Sequence, residues 1–331
     1  MKNVTSLACL QSVLIVLLLS FGNNCASTEK PAASAPSESG KKKDSSKDAD
    51  KKQRLWVIIP DREEPRGVHY MTFESRAVGE KVSYIIYLPP DYETNKDRRY
   101  PVLYWCHGGG GGQYRKVSHV EDFDNAILAG KISPMIVVLV NALDSQYVDS
   151  KDGKTPVESC IIKDLVPYID QNYRTLGTRE GRWIEGFSMG GCGAAHLALK
   201  YPGFFGALSE MAGALGELDF FSTYGNGVLF KRNFGSDAGY FEENHPHSLL
   251  RKNLDQIRGK MLIRIVVGDA DTGRHTLEYN QKLHALLNEL GVEHEFILVP
   301  GVKHSSEKLY EVMDDKAWPF FKKAAEAIVA K

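Results

Sequence analysis

The sequence predicts an α/β fold in which a mostly parallel central sheet carries helices on both faces. Short apolar runs alternate with helical patterns from about residue 68 onward, as expected of strands that alternate with helices. Two of these runs, PVLYWCH (101–107) and MIVVLVN (135–141), are continuously apolar, which is typical of strands covered on both faces. The chain has 331 residues, 43% of them hydrophobic, and is therefore long enough to bury one large core.

Eight strands are expected in chain order. They are 68–73, 82–88, 101–107, 135–141, 182–187, 207–213, 261–268 and 294–300. Helical patterns fall between several of them, for example EDFDNAILAG ending at Gly130 and the segment 274–290, and a further helical pattern closes the chain. The segment 158–173 also has helical spacing, with Pro167 as an internal irregularity where a kink is expected.

The first 27 residues have the pattern of a signal peptide. Lys2 supplies a short positive region, VLIVLLLSF (13–21) an apolar core, and Cys25-Ala26-Ser27 the small residues of a cleavage site. The apolar stretch is too short for a membrane span, so the mature protein is expected to be secreted or periplasmic. A lipid anchor on Cys25 is the alternative.

Residues 28–53 contain Pro, Ser, Ala, Lys and Asp but no large apolar residue, so we expect a disordered linker before a folded domain at 54–331. Its lysines are interleaved with aspartates, and the whole chain has a net charge of -1. Neither feature predicts a nucleic-acid partner.

Removal of the leader leaves three cysteines, Cys106, Cys160 and Cys192, in apolar or helical stretches. Buried free thiols are the favoured interpretation, and one disulfide with one free thiol is the alternative for an exported protein.

Residues 215–254 are longer than a connection requires and hold seven aromatic residues. So many rings argue against disorder, and the segment is interpreted as a small cap over the functional site. The rings could line the site or simply pack the cap. These residues are Phe220, Phe221, Tyr224, Phe230, Phe234, Tyr240 and Phe241.

The candidate nucleophile is Ser188, in the motif GFSMG (186–190). This G-x-S-x-G pattern is typical of a serine on a strained strand-to-helix turn, where glycines avoid collisions with neighbouring backbone. An apolar strand precedes the serine and the small-residue helix GCGAAHLALKY follows it. A simple helix-capping serine is the weaker alternative.

A serine nucleophile needs a base from a loop beyond the carboxyl end of a strand. Among ten histidines, His304 lies just past the last predicted strand, and His275 remains as a second candidate at the start of a helix. His294 lies at the wrong end of its strand, and His196 and His284 lie within helices.

The acid that orients the base should follow the strand 261–268, where Asp269 and Asp271 both occur. Their spacing in the sequence does not show which of the two is the acid. Either could instead be a turn-forming aspartate, and the second of the pair fits that interpretation better.

The glycine run 108–112 follows His107 at the end of a central strand, so its backbone can approach a substrate closely. With the N–H group of Met189, it could form an oxyanion hole. A flexible glycine loop is the alternative. A phosphate-binding loop is excluded because no lysine followed by serine or threonine comes after the glycines.

Taken together, these segments resemble the esterase branch of the α/β hydrolases, which includes feruloyl and acetylxylan esterases, S-formylglutathione hydrolases, enterochelin esterases and mycolyltransferases. The matching pieces are YLPPDY (87–92), RYPVLYWCHGGGG (99–111), DLVPYIDQNYRT (164–175), GFSMGG (186–191), GDAD (268–271) and PGVKH (300–304). The resemblance implies an α/β-hydrolase fold and a catalytic set of Ser188, His304 and Asp271. It also implies oxyanion donors at the backbone of Gly109 and Met189 and a structural role for His107. No dinucleotide-binding fingerprint occurs in the sequence, and no cofactor is expected.

The expected function is an exported serine carboxylic ester hydrolase that removes feruloyl or acetyl groups from plant cell-wall polysaccharide through an acyl-enzyme. The leader argues against the cytosolic S-formylglutathione hydrolases. An acyltransferase acting on a sugar and a non-catalytic binding protein are the alternatives.

Two further sequence features are interpreted as structural, with no catalytic or metal-binding role. His245-Pro246-His247 is expected in a cap loop, with no metal. Glu158, Glu242 and Glu243 are expected to be surface or cap-loop residues.

Overall fold

A computed structural model describes residues 56–58 and 64–329. The predicted signal peptide (1–27), the predicted linker (28–53) and Cys25 lie outside the described residues. Residue 54, the predicted start of the folded domain, also lies outside them.

Within these ranges the core of the protein is one sheet of eight strands, in the order β1-β2-β4-β3-β5-β6-β7-β8. From β4 to β8 along this order, each strand is parallel to its neighbours. At the other end of the sheet, β2 is antiparallel to both β1 and β4. All eight predicted strands are present, and the predicted fold class is confirmed. Their bounds are β1 (Val68–Ser75), β2 (Glu80–Tyr87), β3 (Val102–Cys106), β4 (Ile136–Val140), β5 (Arg182–Phe187), β6 (Ala207–Met211), β7 (Leu262–Gly268) and β8 (Glu295–Val299).

Helices cover both faces of the sheet because alternate side chains of its central strands point to opposite sides. Tyr104 of β3 packs into one core, and its neighbours Leu103 and Trp105 pack into the other. No helix in the described ranges is long and apolar enough to cross a membrane. The helices are α1 (Ser118–Leu128), α2 (Val157–Ser159), α3 (Val166–Asn172), α4 (Met189–Lys200), α5 (Leu218–Thr223), α6 (Val228–Phe234), α7 (Ala238–Asn244), α8 (Pro246–Lys252), α9 (Leu254–Ile257), α10 (Thr276–Glu289), α11 (Ser306–Met313) and α12 (Pro319–Val329).

The irregularity expected at Pro167 takes the form of a widened helical turn. A π-helical segment, Cys160–Leu165, separates α2 from α3, and Pro167 follows within the first turn of α3. Proline has no N–H group to donate to the carbonyl four residues back, so the regular α-helical hydrogen-bond ladder is interrupted there.

The cap, defined as residues 215–254, has a small core of its own. Phe221, Phe230, Phe234 and Phe241 form a buried cluster with Val148, and their rings meet largely edge to face. Such a cluster lets several short helices hold together on top of the sheet.

The three cysteines of the folded region are all free and buried, as the favoured interpretation predicted. Burial raises the pKa of the Cys192 thiol to about 12, so this group is an inert packing element at neutral pH. The alternative of a disulfide among Cys106, Cys160 and Cys192 is therefore wrong for this structure.

Candidate active site

Ser188 lies on a sharp turn between β5 and α4. Its backbone has φ 60° and ψ -118°, a conformation that non-glycine residues rarely adopt. Its N–H group donates to the Met211 carbonyl (3.0 Å), and its own carbonyl accepts from the N–H groups of Cys192 (3.1 Å) and Ala214 (2.9 Å). Neighbouring backbone from β6 and α4 thus holds the strained turn in place.

The glycines of the motif are required by close backbone contacts. A methyl group placed on Gly186 would lie 2.1 Å from the Gly190 carbonyl oxygen, and one on Gly190 would lie 2.0 Å from the Cys106 carbonyl oxygen. Any larger residue at either position would push the turn away from the sheet.

His304 lies in the loop after β8 and joins the serine to a buried acid. The Nε2 atom of His304 is 2.8 Å from Ser188 Oγ, and its Nδ1 atom is 2.6 Å from Asp271 Oδ2. The Asp271 carboxylate is only 2% exposed. With Nδ1 protonated and donating to Asp271, Nε2 is free to accept the Ser188 hydroxyl proton.

The two aspartates after β7 have different partners. Asp271 contacts His304, whereas Asp269 Oδ1 accepts the N–H of Gly301 (2.6 Å) in the turn that follows β8. The local expectation that Asp271 is the turn-forming residue is wrong, because Asp269 fixes the turn that leads to His304. Asp271, the acid that the family resemblance implies, is the aspartate that contacts His304. His275, the second histidine candidate, is exposed, and its Nδ1 is 3.1 Å from Glu278 Oε2.

The glycine loop is held by buried contacts around His107. The His107 Nδ1 donates to the Gly108 carbonyl (2.8 Å), while Nε2 accepts the N–H of Ala142 (3.2 Å). The Tyr147 hydroxyl donates to the His107 carbonyl (3.0 Å). Burial lowers the pKa of His107, so the ring is neutral at pH 7 and acts as a structural group.

Gly109 lies against the start of α4, where a methyl group placed on it would be 3.8 Å from Met189 Cβ. The structure therefore brings together the two residues predicted to supply the oxyanion-hole N–H groups. Their catalytic role stays a prediction.

The candidate site opens into a cleft of about 740 Å³ between the glycine loop and the cap. Ser188 and His304 line it, as do the aromatic cap residues Phe220, Phe221 and Tyr224. The rings of Phe220 and Tyr224 stack with their centroids 5.0 Å apart. Some cap aromatics thus line the cleft while others pack the cap, and Phe220 and Phe221 do both.

The expectation that Glu158 is a surface or cap-loop residue is wrong, because its side chain is buried. Its carboxylate accepts from His196 Nε2 (2.7 Å), Lys200 Nζ (2.8 Å) and the Tyr201 hydroxyl. Burial alone would raise the pKa of Glu158, but these partners lower it to about 2. Glu158 shares a helical face with Ile161, Ile162 and Leu165, and that spacing could have revealed its burial.

A second buried ion pair, not predicted from the sequence, lies on the opposite face of the sheet. Arg264 Nη2 donates to Glu185 Oε2 (3.0 Å), and the Tyr310 hydroxyl donates to the other carboxylate oxygen. Glu185 lies three residues before Ser188, and Tyr310 lies six residues after His304. The network therefore links the strand that carries the serine with the helix that follows the histidine.

A further buried acid, Glu210 on β6, lies behind the turn that carries Ser188. A methyl group placed on Gly213 would lie 2.0 Å from Glu210 Oε1, and one on Gly191 would lie 2.8 Å from it. Burial raises the pKa of Glu210 to about 8, so its carboxyl group is mostly protonated at pH 7. In the sequence this residue is visible only as a charged residue inside the strand 207–211.

The described ranges contain no cluster of three His, Cys, Asp or Glu side chains that could hold a metal ion. His245 and His247 are packed against each other at the start of α8, and burial lowers the pKa of both. The pKa of His247 falls to about 3, which keeps this ring neutral.

The fold and this serine–histidine–aspartate arrangement are those of an α/β hydrolase. A family model described as "Putative esterase" matches residues 75–311, which is most of the chain. The chain belongs to this esterase family.

Named relatives are esterases, and a solved structure shares the fold. An esterase of Mycobacterium tuberculosis (strain H37Rv) is 38% identical over 164 residues, 48% of this chain and 35% of the relative. An endo-1,4-beta-xylanase/feruloyl esterase of Xylanibacter ruminicola is 32% identical over 157 residues, 44% of this chain and 21% of the relative. The chain thus spans about a third or less of these relatives. A solved ferulic acid esterase is similar in fold, with a TM-score of 0.65 at 24% identity, over 78% of this chain and 98% of the other.

Proposed function

We propose that this protein is a serine carboxylic ester hydrolase that works through an acyl-enzyme. The observation that carries the proposal is the continuous set of short contacts from Ser188 Oγ to His304 and from His304 to the buried Asp271. A serine hydroxyl is a weak nucleophile unless an oriented base accepts its proton, and this arrangement supplies that base.

The reaction has two halves. Ser188 Oγ attacks the ester carbonyl carbon while its proton passes to His304 Nε2. The carbon–oxygen bond to the alcohol then breaks as His304 returns the proton to the leaving oxygen. In the second half, water attacks the acyl-serine, its proton passes to His304, and the carboxylic acid leaves as Ser188 recovers its proton.

Two features stabilise the charges that develop. Asp271 stabilises the imidazolium that forms on His304, and its burial limits solvent screening of that interaction. The N–H groups of Gly109 and Met189 would bind the oxyanion, each worth about 3–4 kcal/mol in related chemistry.

For the substrate we propose feruloyl or acetyl esters on plant cell-wall polysaccharide. The aromatic rings of Phe220 and Tyr224, which line the same cleft as Ser188, suit a cinnamoyl group, and two of the similar proteins carry feruloyl or ferulic acid esterase in their names. The leader-like residues 1–27 support export to a secreted or periplasmic location, with a lipid anchor on Cys25 as the alternative.

The test is hydrolysis of p-nitrophenyl acetate, methyl ferulate and acetylated xylan by the protein and its Ser188→Ala variant. We expect kcat/KM to fall by at least about 10³-fold in the variant. Equal activity in both proteins, or none on any ester, would contradict the proposal. Transfer product in the presence of an acceptor sugar would indicate an acyltransferase instead.

A further inference from the structure

Asp144, in the loop after β4, connects the cap to the glycine loop. Its Oδ1 atom accepts the N–H of Gly110 (2.7 Å). Its backbone carbonyl accepts from two side chains of the cap helix α6, Arg232 Nη2 (2.6 Å) and Asn233 Nδ2 (3.2 Å). One residue therefore contacts both the predicted oxyanion loop and the element that covers the cleft.

The Gly110 contact fixes the orientation of a peptide plane in the glycine loop. Gly110 has φ 67°, a left-handed conformation that glycine adopts easily and could also leave easily. With its N–H held by Asp144, the plane between Gly109 and Gly110 has one orientation. This plane contains the carbonyl of Gly109, so the contact also restricts the backbone of Gly109, whose N–H in the preceding plane is the predicted oxyanion donor.

The loop that carries Asp144 is itself held under strain. Leu143, Gln146 and Tyr147 all have φ between 52° and 60°, which is rare for residues with side chains. Such strained segments persist only where surrounding contacts determine them, and they cluster at functional sites. The cap supplies part of that support through Arg232 and Asn233, and Arg232 also lines the cleft.

We propose that Asp144 is a positioning residue that holds the oxyanion loop in its active geometry, and that Arg232 of the cap sets the position of Asp144. The cap then contributes to the chemical step as well as to substrate binding. This inference rests on the proposed esterase function.

The test measures kcat and KM with p-nitrophenyl acetate for single variants of the full chain. Asp144→Ala removes the acceptor for the Gly110 N–H, and we expect kcat to fall about 10- to 100-fold with KM changed less than about threefold. Asp144→Asn keeps an oxygen acceptor and should restore most of that loss. Arg232→Met should lower kcat about three- to tenfold, again with little change in KM.

Lys231→Met is the matched control for Arg232→Met. It removes a cation from the neighbouring position of the same helix, where the side chain is exposed and does not line the cleft. We expect its kcat and KM to match those of the unaltered protein.

A tetrahedral inhibitor supplies a second readout. A boronic acid forms an adduct on serine whose oxygen occupies the oxyanion hole, so Asp144→Ala should weaken its binding by the same factor as kcat. If Asp144→Ala does not fold, Arg232→Met carries the same test. An unchanged kcat with altered KM alone would overturn the inference. Loss of activity on all esters in the unaltered protein would instead overturn the proposed function.

Discussion

Glu210, buried behind the nucleophile turn, has a pKa of about 8 in the folded protein against an ordinary value of 4.5. The unfolded chain therefore releases this proton at lower pH than the folded protein does. Because the folded-state pKa is raised, ionisation of this carboxyl group costs no stability below about pH 4.5. It destabilises the fold progressively as the pH rises towards 8.

We predict that Glu210→Gln becomes more stable than the unaltered protein as the pH rises. The gain should grow by about 1.4 kcal/mol per pH unit above 4.5 and reach the order of 4–5 kcal/mol near pH 8. Urea unfolding between pH 5 and 9 measures it. The exposed Glu326→Gln should show no such trend, and a pH-independent difference for Glu210→Gln would contradict the prediction.

Sequence patterns located the proposed catalytic residues but not the residues that support them. Ser188 is marked by glycines that the turn requires, and His304 by its position after the last strand. Asp269 and Asp271 are two residues apart in one loop, so their separate contacts depend on where the chain folds back. Asp144 and Glu210 carry no local pattern, since their roles arise from contacts with distant backbone.

At the scale of elements, the cap is attached to the body of the protein through a buried charged network. His196 of α4 lies between the Glu158 carboxylate (2.7 Å) and the Asn244 carbonyl (2.8 Å). The ring thus joins the two oxygen atoms through its two nitrogens. Asn244 closes helix α7 of the cap, so these contacts join the cap to α4, the helix that begins directly after Ser188.

We predict that Glu158→Gln destabilises the protein at neutral pH but not in acid. The pKa of Glu158 is about 2 when folded, against an ordinary value of 4.5. Because the folded-state pKa is lowered, the stabilisation that the ionised Glu158 carboxylate provides is fully present above about pH 4.5. It is lost as the pH falls to 2. The difference in unfolding free energy should be on the order of 3 kcal/mol at pH 7 and close to zero at pH 2.

Denaturant unfolding at pH 7, 5, 3 and 2 provides the measurement for Glu158→Gln. Glu243→Gln, an exposed residue of the cap, is the control and should follow the unaltered protein at each pH. A difference of the same size at pH 2 and pH 7 would show that the network acts through packing and not through charge.

The strands were predictable because each is an apolar run with clear ends, and the structure places them within about two residues of the expected bounds. The cap helices were not predicted individually. Several are only four to seven residues long, too short to be stable alone, and they depend on the cluster around Phe221 and Phe241. The π-helical segment before Pro167 likewise reflects a local hydrogen-bond problem that spacing alone indicates only as an irregularity.

At the scale of the whole molecule, alternation of strands and helices was enough to predict the sheet and the edge at which the candidate site lies. It could not reveal pairs such as Glu185 and Arg264, which are 79 residues apart and meet only when β5 and β7 flank β6. Burial of a charged residue in a strand is visible in the sequence only as an interruption of an apolar run.

The Glu185–Arg264 pair leads to a prediction about the stability of the entire sheet. Both side chains are fully buried, and Arg264 also donates to Ser209 Oγ and to the Ala317 carbonyl. Removing one partner leaves an uncompensated charge in the core. We therefore expect Arg264→Met to lower the free energy of unfolding by about 3–5 kcal/mol.

A double variant separates the cost of an unpaired charge from loss of packing. Adding Glu185→Leu to Arg264→Met removes the remaining charge, and we expect it to recover part of the lost stability even though two polar contacts are gone. Arg251→Met, which breaks the exposed Arg251–Glu289 pair, should change stability little. Urea unfolding of the unaltered protein and these three variants makes the comparison.

A double variant less stable than Arg264→Met would mean that Glu185 retains favourable contacts, chiefly the Tyr310 hydroxyl, without its arginine. The network would then stabilise the connection between β5 and α11 independently of the ion pair.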